Sequence, residues 1–289
     1  MKNKFLDYLQ AAQREKWAIG HFNVSNLEGM RAIFEAAKNL KSPIIIGTSE
    51  GESNYLGLCQ AVALVGAFRA ESGVPAALNL DHGKSFDYIK KAIVAGYDMV
   101  HFDGSKLSLE ENIEITKRVT DFAHKKNVLV EGEVGSIEGS SEILEEEPEV
   151  SEEELTSVDE AERFVLSTGV DSLAVSVGTF HGMLAHKENP HINLQRLTAL
   201  KDRLGDRVFL VLHGGSGTPE DDIRIAIEKG IVKININTEL RLAFTSALKK
   251  ILNEDETEVA PYKYMPKVVN AVLDIAEAKI KLFNSVNKI

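Results

Sequence analysis

The chain has 289 residues, 44% of them hydrophobic and 27% charged, with a formal net charge of -11. This is the composition of a soluble globular protein with a sizeable core, and its negative charge argues against nucleic acid or an anionic membrane as partner. No apolar run approaches the roughly 20 residues of a membrane span, and the polar start "MKNKFLDYLQAAQREK" lacks the apolar stretch of a signal peptide.

That N-terminal stretch reads as helix. Strand candidates then follow at 18–24, 43–48, 76–80, 99–102, 128–134, 172–177, 209–212 and 231–236. Between them lie segments of helical periodicity such as "NLEGMRAIFEAAKNL", "SFDYIKKAIVAG", "SLEENIEITKRVTDFAHKK" and "NLQRLTALKDRL". Several begin at Ser, Thr or Asn and end at Gly or Asn, as capped helices do. The run "LGLCQAVALVGAF" also reads as helix and holds Cys59, the single cysteine, expected as a small buried hydrophobe. One cysteine allows no intrachain disulfide, which fits a cytoplasmic setting.

The strands are continuous apolar runs, as in a parallel sheet covered on both faces. Eight strand–helix units predict an α/β chain of the (β/α)8 TIM-barrel type, one domain over 1–289; an open doubly wound sheet is the alternative. Residues 127–162 contain no Lys or Arg, and the acidic loop at about 136–156 is expected to be a solvated surface loop. Its Gly-rich beginning, "VEGEVGSIEGSSE", follows a strand, where mobile catalytic loops are common. A C-terminal helical extension is predicted at about 266–284, after a Pro-punctuated loop.

In a parallel barrel the strand C-termini share one rim, and chemistry is found there. Asp81 and His82 follow strand 3, Asp103 follows strand 4, and Glu131 and Glu133 end strand 5. His181 lies in "VGTFHG", His213 in "VLHGGSG", and Asn235, Asn237 and Thr238 end strand 8. His82, His181 and His213 are each followed by glycine; the other five histidines are not. Three imidazoles with an open fourth position make a catalytic zinc site, and nitrogen ligands suit zinc over calcium or magnesium. The turn at Gly83 is expected to let Asp81 face substrate while His82 faces the metal.

"HGGSGTPEDD" is a glycine-rich turn entering a helix, followed one unit later by "KININTELR". Loops after strands 7 and 8 often hold phosphate, which places Gly214, Ser216, Asn235, Asn237 and Thr238 around an anion. The same turn also serves as an ordinary helix start. Metal, carboxylate and phosphate on one rim point to carbon–carbon cleavage or isomerisation of a phosphorylated sugar. Lys233, within strand 8, makes an imine route less favoured.

At these residues the sequence resembles the class II, zinc-dependent fructose-bisphosphate aldolase family, tagatose-bisphosphate aldolases included. The resemblance is carried by "AIGHFNVSNLE", "LNLDHGKSF", "FDGSKLSLEENI", "VEGEVGSIEG", "TGVDSLAVSVGTFHG", "VLHGGSG" and "KININTELRLAF", in order across the chain. It implies Zn2+ on His82, His181 and His213, with Asp103 and Glu133 around a second cation position. It implies Asp81 as the acid/base at the aldehyde-derived hydroxyl and Glu142 as mover of the ketone's α-proton. Gly182, Gly214, Ser216, Asn235, Asn237 and Thr238 would hold dihydroxyacetone phosphate, near which a monovalent cation is also implied. The implied substrate is fructose 1,6-bisphosphate. Alternatives are tagatose bisphosphate, another dihydroxyacetone-phosphate-dependent reaction with a different aldehyde, or a sugar-phosphate isomerase. A homodimer or homotetramer is implied, and the location is cytoplasmic. The tail departs from the family's "D-P-R-K-Y": here "A-P-Y-K-Y" puts Tyr262 where an arginine would reach the distal phosphate.

Overall fold

All eight predicted runs become strands of one closed barrel. In the computed structural model, which describes residues 5–289, ten strands are found among the described residues. They are β1 (Ile19–Asn23), β2 (Ile44–Ser49), β3 (Ala76–Gly83), β4 (Met99–Phe102), β5 (Leu129–Val134), β6 (Gly139–Leu144), β7 (Ser172–Val175), β8 (His181–Leu184), β9 (Phe209–Leu212) and β10 (Ile231–Ile236). The barrel order is β1-β2-β3-β4-β5-β7-β9-β10, closing on β1, and every pairing is parallel. The open-sheet alternative is thereby excluded.

β6 and β8 stand outside the barrel as a parallel pair, with Gly139 opposite His181. The Gly-rich start of the acidic segment, expected as loop, is therefore half of a small rim sheet. No alternating apolar pattern announces it, because β6 buries neither face.

The helices form where local chemistry starts and stops them. Ser49 and Ser108 build complete capping boxes with Glu52 and Glu111, and Asn26, Ser85 and Ser157 each accept a backbone N–H. Gly73, Gly96 and Gly169 end three helices in the left-handed conformation. The N-terminal helix Leu6–Glu15 confirms the helical reading of that stretch, of which residues 1–4 lie outside the described residues. With Trp17 it closes the bottom of the barrel, where Phe5, Leu9 and Ala12 pack on Ile45, Ala77, Met99 and Phe209.

The C-terminal helix runs Pro261–Leu282, five residues earlier than predicted. Pro261 sits in its first turn, where a missing N–H costs nothing, and Pro266 is carried inside it. Cys59 corrects another expectation: it is exposed. Its helix, Leu58–Ser72, is apolar on nearly all sides yet buries only Ala61 and Val65, so periodicity could not choose the inward face.

Candidate metal centre and active site

The site begins with an irregularity in β3. Against β4 it pairs Leu80 with Val100 and Gly83 with Phe102, so Asp81 and His82 together oppose the single residue His101. This is a β-bulge, and His82 adopts the left-handed φ of 48°. His82, not Gly83, is thus the left-handed residue. In a regular strand these neighbours would point to opposite faces. Here both line one cavity of about 300 Å3 at the C-terminal rim.

His82 and His181 line this cavity, and the buried His213 ring packs against both. The His82 ring lies 4.8 Å from each of the His181 and His213 rings, centroid to centroid, and those two are 5.7 Å apart. His82 Nε2 faces His213 Nδ1 at 3.0 Å, an approach that places two ring nitrogens where a shared cation would bind. His181 Nε2 is buried and has no hydrogen-bond partner among the described residues. Burial, then the neighbouring His82 charge, lowers His181 to about 3; burial likewise lowers His213 to about 3. Both rings are therefore neutral, with lone pairs available, as metal ligands must be.

Among the described residues, two groups have ligand atoms close enough to hold an ion: Asp81, His82, His101 and His213, and separately His82, Asp103 and Glu133. In the second, His82 Nδ1 is 3.1 Å from Asp103 Oδ2 and 4.0 Å from Glu133 Oε2. His181 stands beside the first group rather than within it. The residues present fit a divalent cation with nitrogen-rich coordination.

His213 is held from behind. His213 Nε2 is 2.9 Å from Glu131 Oε1, which leaves Nδ1 toward the site. Glu131 Oε2 in turn accepts from Lys233 Nζ at 2.7 Å, both side chains being wholly buried. Burial pushes the Glu131 carboxyl up, but Lys233 and His213 outweigh it and keep the group ionised. Lys233 is a paired ammonium, not a free amine.

Asp81 is almost fully buried and accepts from Asn23 Nδ2 at 3.1 Å and from Asn235 Nδ2 at 3.2 Å. Burial opposes its ionisation, but the charge on His82 outweighs it and holds Asp81 well below the usual carboxylate range. It enters any reaction as a base. His101 itself was not among the residues singled out from sequence. Burial lowers its pKa while Asp81 and Glu133 raise it, to about 10. The His82 N–H nevertheless points at Nδ1 from 3.2 Å, which demands a lone pair there; this geometry decides for the neutral ring with its proton on Nε2.

All six residues expected around phosphate, Gly182, Gly214, Ser216, Asn235, Asn237 and Thr238, line the cavity. Ser216 Oγ accepts from the backbone N–H of Asn237 at 3.2 Å and of Glu239 at 3.4 Å, tying the loop after β9 to the helix Thr238–Glu254. That helix presents its N-terminus to the cavity, a favourable place for an anion. Gly214 has φ of 68°, and a Cβ there would come within 2.3 Å of Phe180 O. Glycine is therefore demanded by the chain's own packing as well as by ligand approach.

Glu142 does not reach the cavity. It is exposed on β6 and accepts from Ser140 Oγ at 3.2 Å, whereas Glu138, bonded by Ser136 Oγ at 2.7 Å, lines the wall. The cavity-lining run stops at Ser141, so Glu142 lies just past the wall, a fact hidden while the segment read as loop. Tyr262 is 77% exposed and lies outside the cavity, and Lys263 pairs with Glu258 at 2.8 Å. The lysines and arginine that line the cavity are Lys84, Lys106 and Arg241. Arg241 pairs with Glu52 at 2.6 Å.

Reasoning from sequence also missed Asn23 and the Glu131–Lys233 pairing. The signal was the period of two: Asn79 and Asp81, Met99 and His101, Glu131 and Glu133, and Lys233 and Asn235 alternate inward along their strands.

Comparison with known proteins shows the family and the fold. A family model described as fructose-bisphosphate aldolase class-II matches residues 3–288. A 6-phospho-5-dehydro-2-deoxy-D-gluconate aldolase of Shouchella clausii (strain KSM-K16) is 39% identical over 283 residues, 97% of this chain and 94% of that protein. The crystal structure of the YdjI aldolase of Escherichia coli K12 superposes with a TM-score of 0.85 at 32% identity, covering 100% of this chain and 99% of that one. A fructose-bisphosphate aldolase from Campylobacter jejuni shares the fold, with a TM-score of 0.85 at 22% identity over 100% of this chain and 97% of that one.

Proposed function

The chain belongs to the class II fructose-bisphosphate aldolase family, and from that premise we propose that it cleaves a phosphorylated ketose to dihydroxyacetone phosphate and an aldehyde. The observation that carries this reading is the convergence of His82, His181, Asp81, Gly214 and Ser216 on one cavity, with the buried His213 ring packed against both imidazoles. We assign Zn2+ to the three histidines, because the neutral imidazoles of His181 and His213, with His82 once it gives up its proton, form a nitrogen donor set with room for substrate. When bound, the cation supplies Lewis-acid polarisation of the ketone carbonyl.

The protein's own groups move the protons. Asp81, oriented by Asn23 and Asn235, takes the proton from the hydroxyl beside the scissile bond as that bond breaks and the aldehyde carbonyl forms. The electron pair remains on the ketone-side carbon, which then receives a proton from an acid on the rim. Glu138 is the carboxylate placed for that transfer, and Glu142 is its competitor from sequence. Gly182, Ser216, Asn237 and Thr238 orient the phosphate of the dihydroxyacetone half.

Fructose 1,6-bisphosphate is the proposed substrate. One observation favours a second reading, in which the aldehyde half carries no phosphate: Tyr262 is outside the cavity, and a phenol cannot replace a guanidinium on a phosphate. The relative from Shouchella clausii is named for a sugar acid with a single phosphate, which supports that alternative. Retro-aldol assays of both compounds, and of fructose 1-phosphate, separate the two by kcat/KM. The aldolase reading predicts triose phosphate release that is lost in Asp81→Ala and His82→Ala. Full activity in His82→Ala refutes the metal site.

A further inference from the structure

A bulge leaves its extra residue out of the ladder, and that residue's N–H must find another acceptor. In β3 the displaced donor is the N–H of His82, and it meets His101 Nδ1 at 3.2 Å. His101 is fully buried and is the one residue of β4 that the bulged pair faces. Its Nε2 is turned toward Glu133 Oε2 at 3.3 Å, and its ring packs edge-on against His82 at 4.7 Å and His213 at 5.1 Å. The left-handed φ of 48° at His82 is unusual for a side chain with a Cβ and persists only where the surroundings hold it.

We infer that His101 is a positioning residue for His82. Its Nδ1 anchors the bulge N–H, and this holds the strained backbone that aims both Asp81 and His82 into the cavity. The inference rests on the metal site proposed above for His82, His181 and His213. It asks His101 to act through the backbone of a ligand, not as a ligand.

Side-chain replacements separate the two nitrogens. In His101→Asn the amide oxygen stands near the position of Nδ1 and keeps the acceptor. His101→Gln places its amide near Nε2 and loses that acceptor, and His101→Leu loses both. The readouts are Co2+ affinity by competition with a chelating dye, the visible absorption of the Co2+ form, and kcat and KM separately. Replacing a residue that orients a metal ligand costs about 10–100-fold in affinity. That loss is expected in His101→Leu and His101→Gln, with kcat falling more than KM rises and the Co2+ band unshifted. His101→Asn is expected to stay within about threefold of the native protein, well inside that range.

Native affinity in His101→Leu, or a loss in His101→Asn equal to that in His101→Leu, overturns the inference. A shifted Co2+ band in all three variants makes His101 a ligand and overturns it too. If His101→Leu does not fold, the contrast between His101→Gln and His101→Asn decides alone. Failure of the metal reading looks different: native protein would bind no Co2+, or His82→Ala would bind it undiminished.

Discussion

Lys233 carries its ammonium inside the barrel at zero exposure, tolerated because Glu131 lies 2.7 Å away. Removing one partner of such a pair leaves an uncompensated buried charge, at a cost of about 3–5 kcal/mol. Lys233→Met is expected to destabilise by that amount in urea titration, and Glu131→Leu/Lys233→Met to recover most of it. A double mutant as unstable as the single one would mean that the pair's geometry matters beyond its charge balance. At Asp81 the expected effect is kinetic. Asp81→Asn keeps a similar shape between Asn23 and Asn235 but loses the base, so kcat should drop by about 100–10,000-fold. Metal content should remain that of the native protein, and a parallel loss of metal would move Asp81 from proton carrier to ligand.

The rim sheet is the element with the sharpest consequences. Gly182 has φ of 123°, and a Cβ there would lie 2.7 Å from Ser140 O on the neighbouring strand. Gly182→Ala should therefore part β6 from β8 and displace both His181 and the Glu138 wall. Misplacement of about 1 Å in a site can cost about 100-fold, so a fall in kcat/KM of up to that size is expected while the barrel's urea midpoint moves little. The acids before and within β6, Glu138 and Glu142, make opposite forecasts. Exchange of the pro-reactive hydrogen of dihydroxyacetone phosphate with deuterated water, followed by NMR, should slow by about 100-fold or more in Glu138→Gln and be unchanged in Glu142→Gln.

What could be seen in the sequence follows the same division. The three His-Gly pairs and the Gly214–Ser216 turn were legible because each belongs to one strand end, where local order places it. The bulge opposite His101 was not, since register belongs to two strands at once and neither states it alone. Glu138 was missed because it precedes a polar, exposed strand whose pattern has no apolar alternation to reveal which way the segment faces.

At the scale of the whole molecule, the barrel is apolar at the bottom and increasingly polar toward the rim. Trp17 and the Leu6–Glu15 helix seal one end, while His21, Glu131, Lys233 and His213 are buried beneath and around the cavity at the other. Such burial ties stability to pH. Burial, with Lys233 as second cause, lowers His21 to about 3, and burial lowers His181 and His213 to about 3, all from an ordinary 6.5. Below pH 6.5 the unfolded chain takes up protons that the folded chain refuses until about pH 3, so acidification favours unfolding throughout that window. His82 runs the other way: burial lowers its pKa, but Asp81 and Asp103 raise it further, so its contribution is full below 6.5 and fades as pH rises. Below pH 6.5 the raised histidines, His82 and His124 among them, are protonated in the folded and unfolded chain alike and add no slope, so the depressed ones decide. The urea midpoint of chelator-treated protein should therefore fall steadily from pH 7 to pH 4, and a flat or rising midpoint would show these rings to be accessible to protons when folded. Metal should steepen the fall. An ion at 100 times its dissociation constant adds about 2.7 kcal/mol at neutral pH, and protons compete for the same imidazole nitrogens. Curves measured with and without Zn2+ should thus separate by that amount at pH 7 and converge as the histidines protonate.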